Sequence, residues 1–273
     1  MQRKLKFLLT SALIAVVCVC GHELWKISAQ YDDEAQIKKE LSQYRPEPPK
    51  PPGSTESNKD PSAPPIVPPD GTADLPGAPM EEATDQPAAP EVVVNQSVID
   101  MRNDINGDIV GWLTIPNTHV DYPFVLAADN DFYLRRNIYK KQATAGSIFM
   151  DYRCAADFSG FNTIIYGHNM KNSGMFGDLR LFADPGFFAS NVTGALFVKD
   201  NTYTLEIFAY MVVRADDKVI YNPSASRDEF FEYVKKNARR IREPASPGRV
   251  VTLSTCAYEY DGARIVLLAT INP

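Results

Sequence analysis

Three residues carry the side-chain types that acyl transfer by a thiol requires. Cys256 ends the run VTLSTC, His168 ends the run NTIIYGH, and Arg264 lies eight positions after the cysteine. A thiol close to an imidazole can attack a carbonyl carbon, and the imidazole can then protonate the leaving amine. A nearby guanidinium can hold a thiolate or stabilise the oxyanion of a tetrahedral intermediate. Each of the three is at or near the end of an apolar run, where a side chain can emerge from a rigid core.

The positions of the other cysteines and of His119 limit which residues can serve as the reactive thiol and its imidazole partner. Cys18 and Cys20 lie in an apolar N-terminal run, so Cys154 is the other cysteine of the folded part. A disulfide framework is absent, and a free cysteine in an exported domain is a candidate reactive thiol. His119 follows a Pro-Asn turn, which predicts an exposed loop residue. Taken singly, however, a cysteine on an apolar strand is usually a buried small hydrophobe.

The elements that must position these residues are mostly short strands. Alternating or β-branched runs bounded by turn residues predict strands. The predicted strands are 111–116, 120–127, 146–151, 162–168, 194–200, 202–214, 248–256 and 263–271. Helices are predicted at 93–109 and at 226–241, the latter with Ser226 and Glu229 as a capping box. Many short strands with few helices indicate a mainly β fold, a closed β-barrel with peripheral helices, one of which precedes the Cys-bearing strand.

The N-terminal segment, residues 1–28, predicts a membrane signal-anchor. Arg3, Lys4 and Lys6 precede an uncharged apolar run from Phe7 to Cys20. Cations on the N-terminal side predict that this end stays in the cytoplasm and that the rest of the chain lies outside the cell. A cleavable signal peptide is the alternative interpretation. We therefore expect a single-pass protein of the cell membrane with an extracellular folded domain.

Two segments separate the predicted anchor from the folded domain at 93–273. Residues 29–44 predict a short helical stalk whose apolar stripe is thin, so we expect it to pack little. Residues 45–92 predict a disordered linker, because residues 46–90 hold 14 of the 21 prolines. Such a composition favours an extended, polyproline-like spacer.

Charge and composition exclude several classes of function. The net charge of −6 and the lack of a basic face argue against nucleic acid as a partner. The sequence contains no Cys/His cluster with zinc-ligand spacing and no concentrated group of carboxylates for calcium. The sequence therefore predicts no cofactor and assigns no metal ligands, and it leaves metal dependence open.

The motifs together resemble the sortase family. TLSTC with an arginine eight residues later, the upstream YGHNM and the early GWLTIP occur in the order found in sortases. The resemblance covers residues 95–273, and the helix before the Cys-bearing strand resembles class B members in particular. It implies that Cys256 forms a thioacyl intermediate, that His168 transfers protons and that Arg264 orients the substrate or stabilises the oxyanion.

The resemblance also implies substrates and partners. A sortase cleaves the C-terminal sorting signal of a secreted surface protein and transfers the acyl group to an amine of a peptidoglycan precursor or a pilin. Ser254 and Thr255 flank the nucleophile and are predicted to contact the substrate, although ordinary strand hydroxyls explain them equally well. Asn169 is a weaker candidate for the same site. Two other functions stay open, a cysteine protease or hydrolase without amine transfer and a catalytically silent anchored scaffold.

Overall fold

The computed structural model describes residues 16–22, 32–47, 94–246, 248–257 and 261–272. Within these ranges, nine strands form one sheet. Their bounds are β1 Ile109–Thr114, β2 Asp121–Leu126, β3 Ile148–Met150, β4 Asn162–Tyr166, β5 Thr193–Val198, β6 Asn201–Arg214, β7 Arg240–Ile241, β8 Val250–Cys256 and β9 Ala263–Asn272. This strand content confirms the predicted mainly β class.

Helices are few and lie around the sheet. Residues 16–22 are helical, and α1 covers residues 32–41. The other α-helices are α2 Gln96–Asp104, α3 Pro185–Ser190 and α4 Arg227–Asn237, and 3-10 helices cover Ser42–Tyr44, Tyr133–Arg135 and Gly177–Ala183. Helix α3 and the 3-10 helix before it were not predicted from the sequence.

The sheet closes on itself as an eight-stranded barrel. The strand order is β5-β1-β2-β3-β4-β8-β9-β6, and β5 also pairs with β6. Strand β7 pairs only with β6, at Ala209–Ile241 and Tyr210–Arg240. The pairs β2–β3 and β4–β8 are parallel, whereas the other pairs are antiparallel. The closed barrel with peripheral helices confirms the predicted fold.

The apolar runs of β8 and β9 are buried on both faces. Because successive side chains of a strand point to opposite sides, Ile265 and Leu267 join the barrel core while Val266 and Leu268 point outward. The outward residues pack with Phe230 of α4. Helix α4 therefore covers the strands that end at Cys256 and begin at Ala263.

Two predicted helices differ in detail from the observed ones. The helix predicted at 226–241 ends at Asn237, because Arg240–Ile241 pair with β6 as β7. Ser226 is the N-cap residue but its side chain makes no capping hydrogen bond, so the predicted capping box is wrong. The lead-in helix is shorter than predicted and spans Gln96–Asp104.

Helix α1 packs against the barrel, and the prediction that it packs little is wrong. Leu41 is 3% exposed and joins a cluster with Trp112 and Val125. The Tyr139 hydroxyl donates to Glu40 Oε2 at 3.0 Å, and Arg45 Nε pairs with Asp121 Oδ2 at 2.9 Å. These partners come from distant parts of the sequence, which is why a thin apolar stripe is enough to hold the helix.

Within the described ranges, no helix is long and apolar enough to cross a membrane. Most of the predicted anchor, residues 1–15 and 23–28, lies outside the described residues, as does the predicted linker from residue 48 onward.

Candidate active site

Cys256 and Arg264 are direct neighbours across two strands. Strands β8 and β9 are antiparallel, and their register places Cys256 opposite Arg264. The pairing continues beyond the strand end, where the Ala257 N–H donates to the Ala263 carbonyl at 3.0 Å. Facing side chains in such a pair have Cβ atoms about 5 Å apart. Cys256 is exposed and Arg264 is partly exposed, so the thiol and the guanidinium share one surface.

His168 reaches the same edge because β4 runs parallel to β8. Tyr166, the last residue of β4, is in register with Ser254. The Gly167 N–H then donates to the Ser254 carbonyl at 3.1 Å, so the chain follows β8 up to the histidine. Parallel strands end at the same edge of a sheet, which brings His168 to the end of the strand that carries Cys256.

The His168 ring is held by a backbone carbonyl. Its Nε2 lies 2.9 Å from the Leu134 carbonyl oxygen. A carbonyl oxygen only accepts, so Nε2 carries a proton and donates it to this bond. The second ring nitrogen, Nδ1, is then the one left to exchange a proton with a reactant. Leu134 itself belongs to the short 3-10 turn Tyr133–Arg135.

Asn169 joins the histidine loop to the nucleophile strand. Its Nδ2 donates to the Cys256 carbonyl at 2.7 Å. Asn169 also forms an isolated antiparallel bridge with Met175. The side chain fixes the loop relative to β8, and we find it beside the cavity rather than among the residues that line it.

A single cavity of about 230 Å³ opens at this edge of the barrel. Cys256, His168 and Arg264 all line it, together with Ser254 and Thr255. The structure therefore brings together five of the six residues predicted from the sequence. The arrangement offers a thiol, an imidazole and a guanidinium to one bound group.

Comparison with known proteins identifies the family. Residues 113–272 match the family model of the sortase domain. The chain belongs to the sortase family. Sortases are cysteine transpeptidases, so the predicted enzyme class is confirmed.

Class B sortases are among the relatives that resemble this chain. Sortase B of Listeria monocytogenes is 39% identical over 184 residues, covering 64% of this chain and 75% of the relative. The crystal structure of a class B sortase involved in pilus biogenesis in Streptococcus pyogenes is 31% identical, with a TM-score of 0.60, covering 64% of this chain and 97% of that one. Clostridium perfringens sortase B gives 30% identity and a TM-score of 0.59, covering 64% of this chain and 99% of that one. The predicted class B membership is confirmed.

Ser254 and Thr255 of this sortase are buried beside the cavity. Ser254 is 2% exposed, and its hydroxyl lies 2.8 Å from the Tyr221 hydroxyl. Thr255 is 3% exposed, and its Oγ1 has no hydrogen-bond partner among the described residues. Both side chains are therefore packed into the wall of the cavity.

Several residues of the sortase site were not predicted from the sequence. Asn130, Leu134 and Tyr166 line the cavity, and Tyr221 lies behind it, stacked on the Tyr166 ring with centroids 6.2 Å apart. Burial raises the pKa of Tyr221 to about 12, so its hydroxyl stays protonated at neutral pH. Nothing in the spacing of the run that contains Asn130 and Leu134 indicated that it reaches the histidine.

A buried carboxylate supports the floor of the sortase cavity. Asp151 is fully buried and accepts hydrogen bonds from Tyr166 at 2.9 Å, Asn130 at 3.1 Å and Arg153 at 2.7 Å. Burial alone would raise the pKa of Asp151, but the bonds from Arg153, Tyr166 and Asn130 outweigh it and the pKa is lowered. Burial and the neighbouring Asp151 carboxylate raise the pKa of Tyr166. The Tyr166 hydroxyl therefore stays protonated and can donate to the ionised Asp151.

Proposed function

We propose that this sortase is an extracellular, membrane-anchored transpeptidase that joins surface proteins to an amine of the cell wall. Its substrate would be the C-terminal sorting signal of a secreted protein. The observation that carries the proposal is the convergence of Cys256, His168 and Arg264 on one cavity at the barrel edge.

The first half of the reaction would form a thioester. The Cys256 sulfur attacks the carbonyl carbon of the scissile peptide bond while His168 Nδ1 takes up the thiol proton, and the Arg264 guanidinium stabilises the oxyanion. The C–N bond then breaks, and His168 gives a proton to the departing amine. The N-terminal part of the substrate stays on the sulfur as an acyl group.

The second half would transfer that acyl group to an amine. His168, whose Nδ1 no longer carries a proton, accepts a proton there from the incoming amine as the amine attacks the thioester carbon. The C–S bond breaks, an amide forms, and His168 returns this proton to the sulfur, which restores the thiol. A peptidoglycan precursor amine is the proposed acceptor, and a pilin lysine would follow the same chemistry.

Other groups around the cavity would bind the sorting signal. Thr255 and Ser254 would form part of the cavity wall that receives the substrate, and Ser254 would act together with Tyr221. Asn169 would act mainly by holding the Cys256 carbonyl. The proposed cytoplasmic N-terminus and membrane anchor rest on the cations Arg3, Lys4 and Lys6 and the apolar run that follows them.

Product analysis with a peptide panel tests this function. The full chain in detergent is incubated with sorting-signal peptides, with and without triglycine or a diamine, and the products are identified by mass spectrometry. A peptide–amine product that Cys256→Ala abolishes supports the transpeptidase. Cleavage with no amine capture would favour a hydrolase. No product with any peptide, together with an unreactive Cys256, would favour the scaffold.

A further inference from the structure

The loop that follows His168 has an unusual backbone. Ser173 and Met175 both have positive φ, at 67° and 49°, although neither is glycine. Such conformations cost free energy and persist when the surrounding structure holds them. Because the loop begins at His168, the residues that hold it in this conformation also bear on the position of the histidine.

Displacement of the loop would be transmitted to His168. The Phe176 N–H donates to the His168 carbonyl at 2.9 Å. One residue earlier, Met175 forms a bridge with Asn169, the residue next to the histidine. The two ends of the loop are therefore tied together, and the position of Met175 sets the position of the His168 backbone.

Met175 is held in turn by a buried hydroxyl. The Met175 N–H donates to the Tyr122 hydroxyl at 3.2 Å, and that hydroxyl donates to Glu34 Oε1 at 3.0 Å. Met175, Tyr122 and Glu34 are 8%, 6% and 8% exposed. Burial and the Glu34 carboxylate raise the pKa of Tyr122, so its hydroxyl remains a donor at neutral pH.

Glu34 lies on α1, outside the barrel, and touches the loop directly. A Cβ added at Gly174 would lie 2.4 Å from Glu34 Oε1. Lys38, one turn further along α1, places its ammonium 4.2 Å from the centre of the Tyr122 ring and donates to the His119 carbonyl at 2.9 Å. Leu41 secures the end of the helix in the barrel surface.

We propose that Glu34 and Tyr122 are positioning residues for His168, and that docked α1 is therefore part of the active enzyme. Through Met175, Glu34 and Tyr122 hold the strained loop in the arrangement that presents the imidazole to the cavity. The proposal rests on the proposed role of His168 as proton donor and acceptor.

Two variants and two matched controls test the proposal in the full chain. Tyr122→Phe and Glu34→Ala remove the connection to Met175. Tyr139→Phe and Glu40→Ala remove the same kind of tyrosine–carboxylate bond at another point of α1 and leave the bonds of Tyr122 to Met175 and Glu34 in place. Because a displaced catalytic group can cost on the order of 100-fold in rate, we expect kcat to fall at least about tenfold in the first pair, with KM within about twofold. The controls should match wild type.

Two further readouts separate positioning from a general loss of stability. Glu34→Gln keeps an oxygen that can accept from Tyr122, so it should restore most of the kcat lost in Glu34→Ala. The His168 ring resonance in a histidine-labelled NMR spectrum should shift in Tyr122→Phe and not in Tyr139→Phe. This spectrum needs no substrate, so it tests the proposal even if no peptide is transferred and the proposed function fails.

Unchanged kcat and an unchanged His168 resonance in Tyr122→Phe and Glu34→Ala would overturn the proposal. Equal losses in the control pair, or a failure of Glu34→Gln to restore activity, would also overturn it, because the effect would then be general destabilisation of α1. If Tyr122→Phe does not fold, the comparison of Glu34→Ala, Glu34→Gln and Glu40→Ala decides alone.

Discussion

Cys256 and Arg264 face each other across the antiparallel pair β8–β9. Their eight-residue spacing in the sequence thus corresponds to two facing residues at the adjoining ends of β8 and β9. A shift of one residue in this register would move Arg264 to the opposite face of the sheet. The pairing explains how two residues from one continuous segment supply both the proposed nucleophile and its cation.

Replacement of Arg264 should slow the chemical step more than it weakens substrate binding. Loss of an oxyanion-stabilising donor costs about 100- to 1,000-fold in kcat, and we expect a loss in this range for Arg264→Ala. Arg264→Lys keeps the charge but not the planar fork of donors, so an intermediate loss is expected. Arg227→Ala, at an exposed position of α4, is the control. Steady-state kinetics that place Arg264→Ala within threefold of wild type would contradict the proposed role.

The two cysteines of the barrel should differ sharply in reactivity. Cys256 is exposed, whereas Cys154 is 8% exposed and its pKa is raised by burial to about 11. Iodoacetamide should label Cys256 in the native protein and Cys154 only after unfolding, because the thiolate is the reactive form. Peptide mapping distinguishes these sites from Cys18 and Cys20. Labelling of Cys154 at the rate of Cys256 in the native protein would show that its surroundings are open.

Burial of Cys154 also predicts a loss of stability at high pH. Its pKa is raised in the folded state, so the unfolded chain loses this proton first as the pH rises. The contribution is fully present below the unfolded pKa, near about 8.5, and is lost as the pH rises towards the folded value. The free energy of unfolding, measured with denaturant, should therefore decline less over this pH range in Cys154→Ala than in wild type. Equal declines in the two proteins would argue against the raised pKa.

The carboxylate of Asp151 should contribute strongly to stability. Asp151→Asn leaves three donors with a neutral partner and should lower the free energy of unfolding by about 2–4 kcal/mol. The lowered native pKa means that this contribution is present above the unfolded pKa, near about 3.9, and is lost as the pH falls through the native value. The difference in the free energy of unfolding between wild type and Asp151→Asn should thus become smaller in acid. Asp200→Asn, at an exposed position, is the control. A difference that does not change with pH would contradict the lowered pKa of Asp151.

Gly146 should be required for the carbonyl that holds His168. It has a φ of 60°, and an added Cβ would lie 2.6 Å from the Leu134 carbonyl oxygen. Gly146→Ala must displace that oxygen, so we expect about 2–4 kcal/mol of destabilisation together with a lower kcat. Gly160→Ala is the matched control, because nothing lies within 4 Å of its added Cβ. Equal stability of the two variants would show that the Leu134 turn adjusts freely.

The sequence predicted the parts of this sortase that depend on local pattern. The apolar runs of β8 and β9 and the residues at their ends could be recognised because strand periodicity and the motif around Cys256 lie in one segment. The same pattern placed His168 near the end of its strand. The predicted roles of these residues stay predictions until they are measured.

The contacts that the sequence did not predict are those made between distant segments. The Leu134 carbonyl reaches His168 through a backbone turn, which depends on no recognisable side chain. Glu34 is buried against Tyr122, which is 88 residues away in the sequence and whose hydroxyl donates a hydrogen bond to the Glu34 carboxylate. A carboxylate on a polar helix otherwise indicates a solvated surface, so α1 was expected to pack little.

The most direct test of the central claim is the intact mass of the full chain after incubation with sorting-signal peptides and no added amine. We predict an adduct whose mass equals the N-terminal fragment of a cleaved peptide, located on Cys256 by peptide mapping and absent in Cys256→Ala. Cleavage of the same peptide by Cys256→Ala, or an acyl group found on another residue, would contradict it.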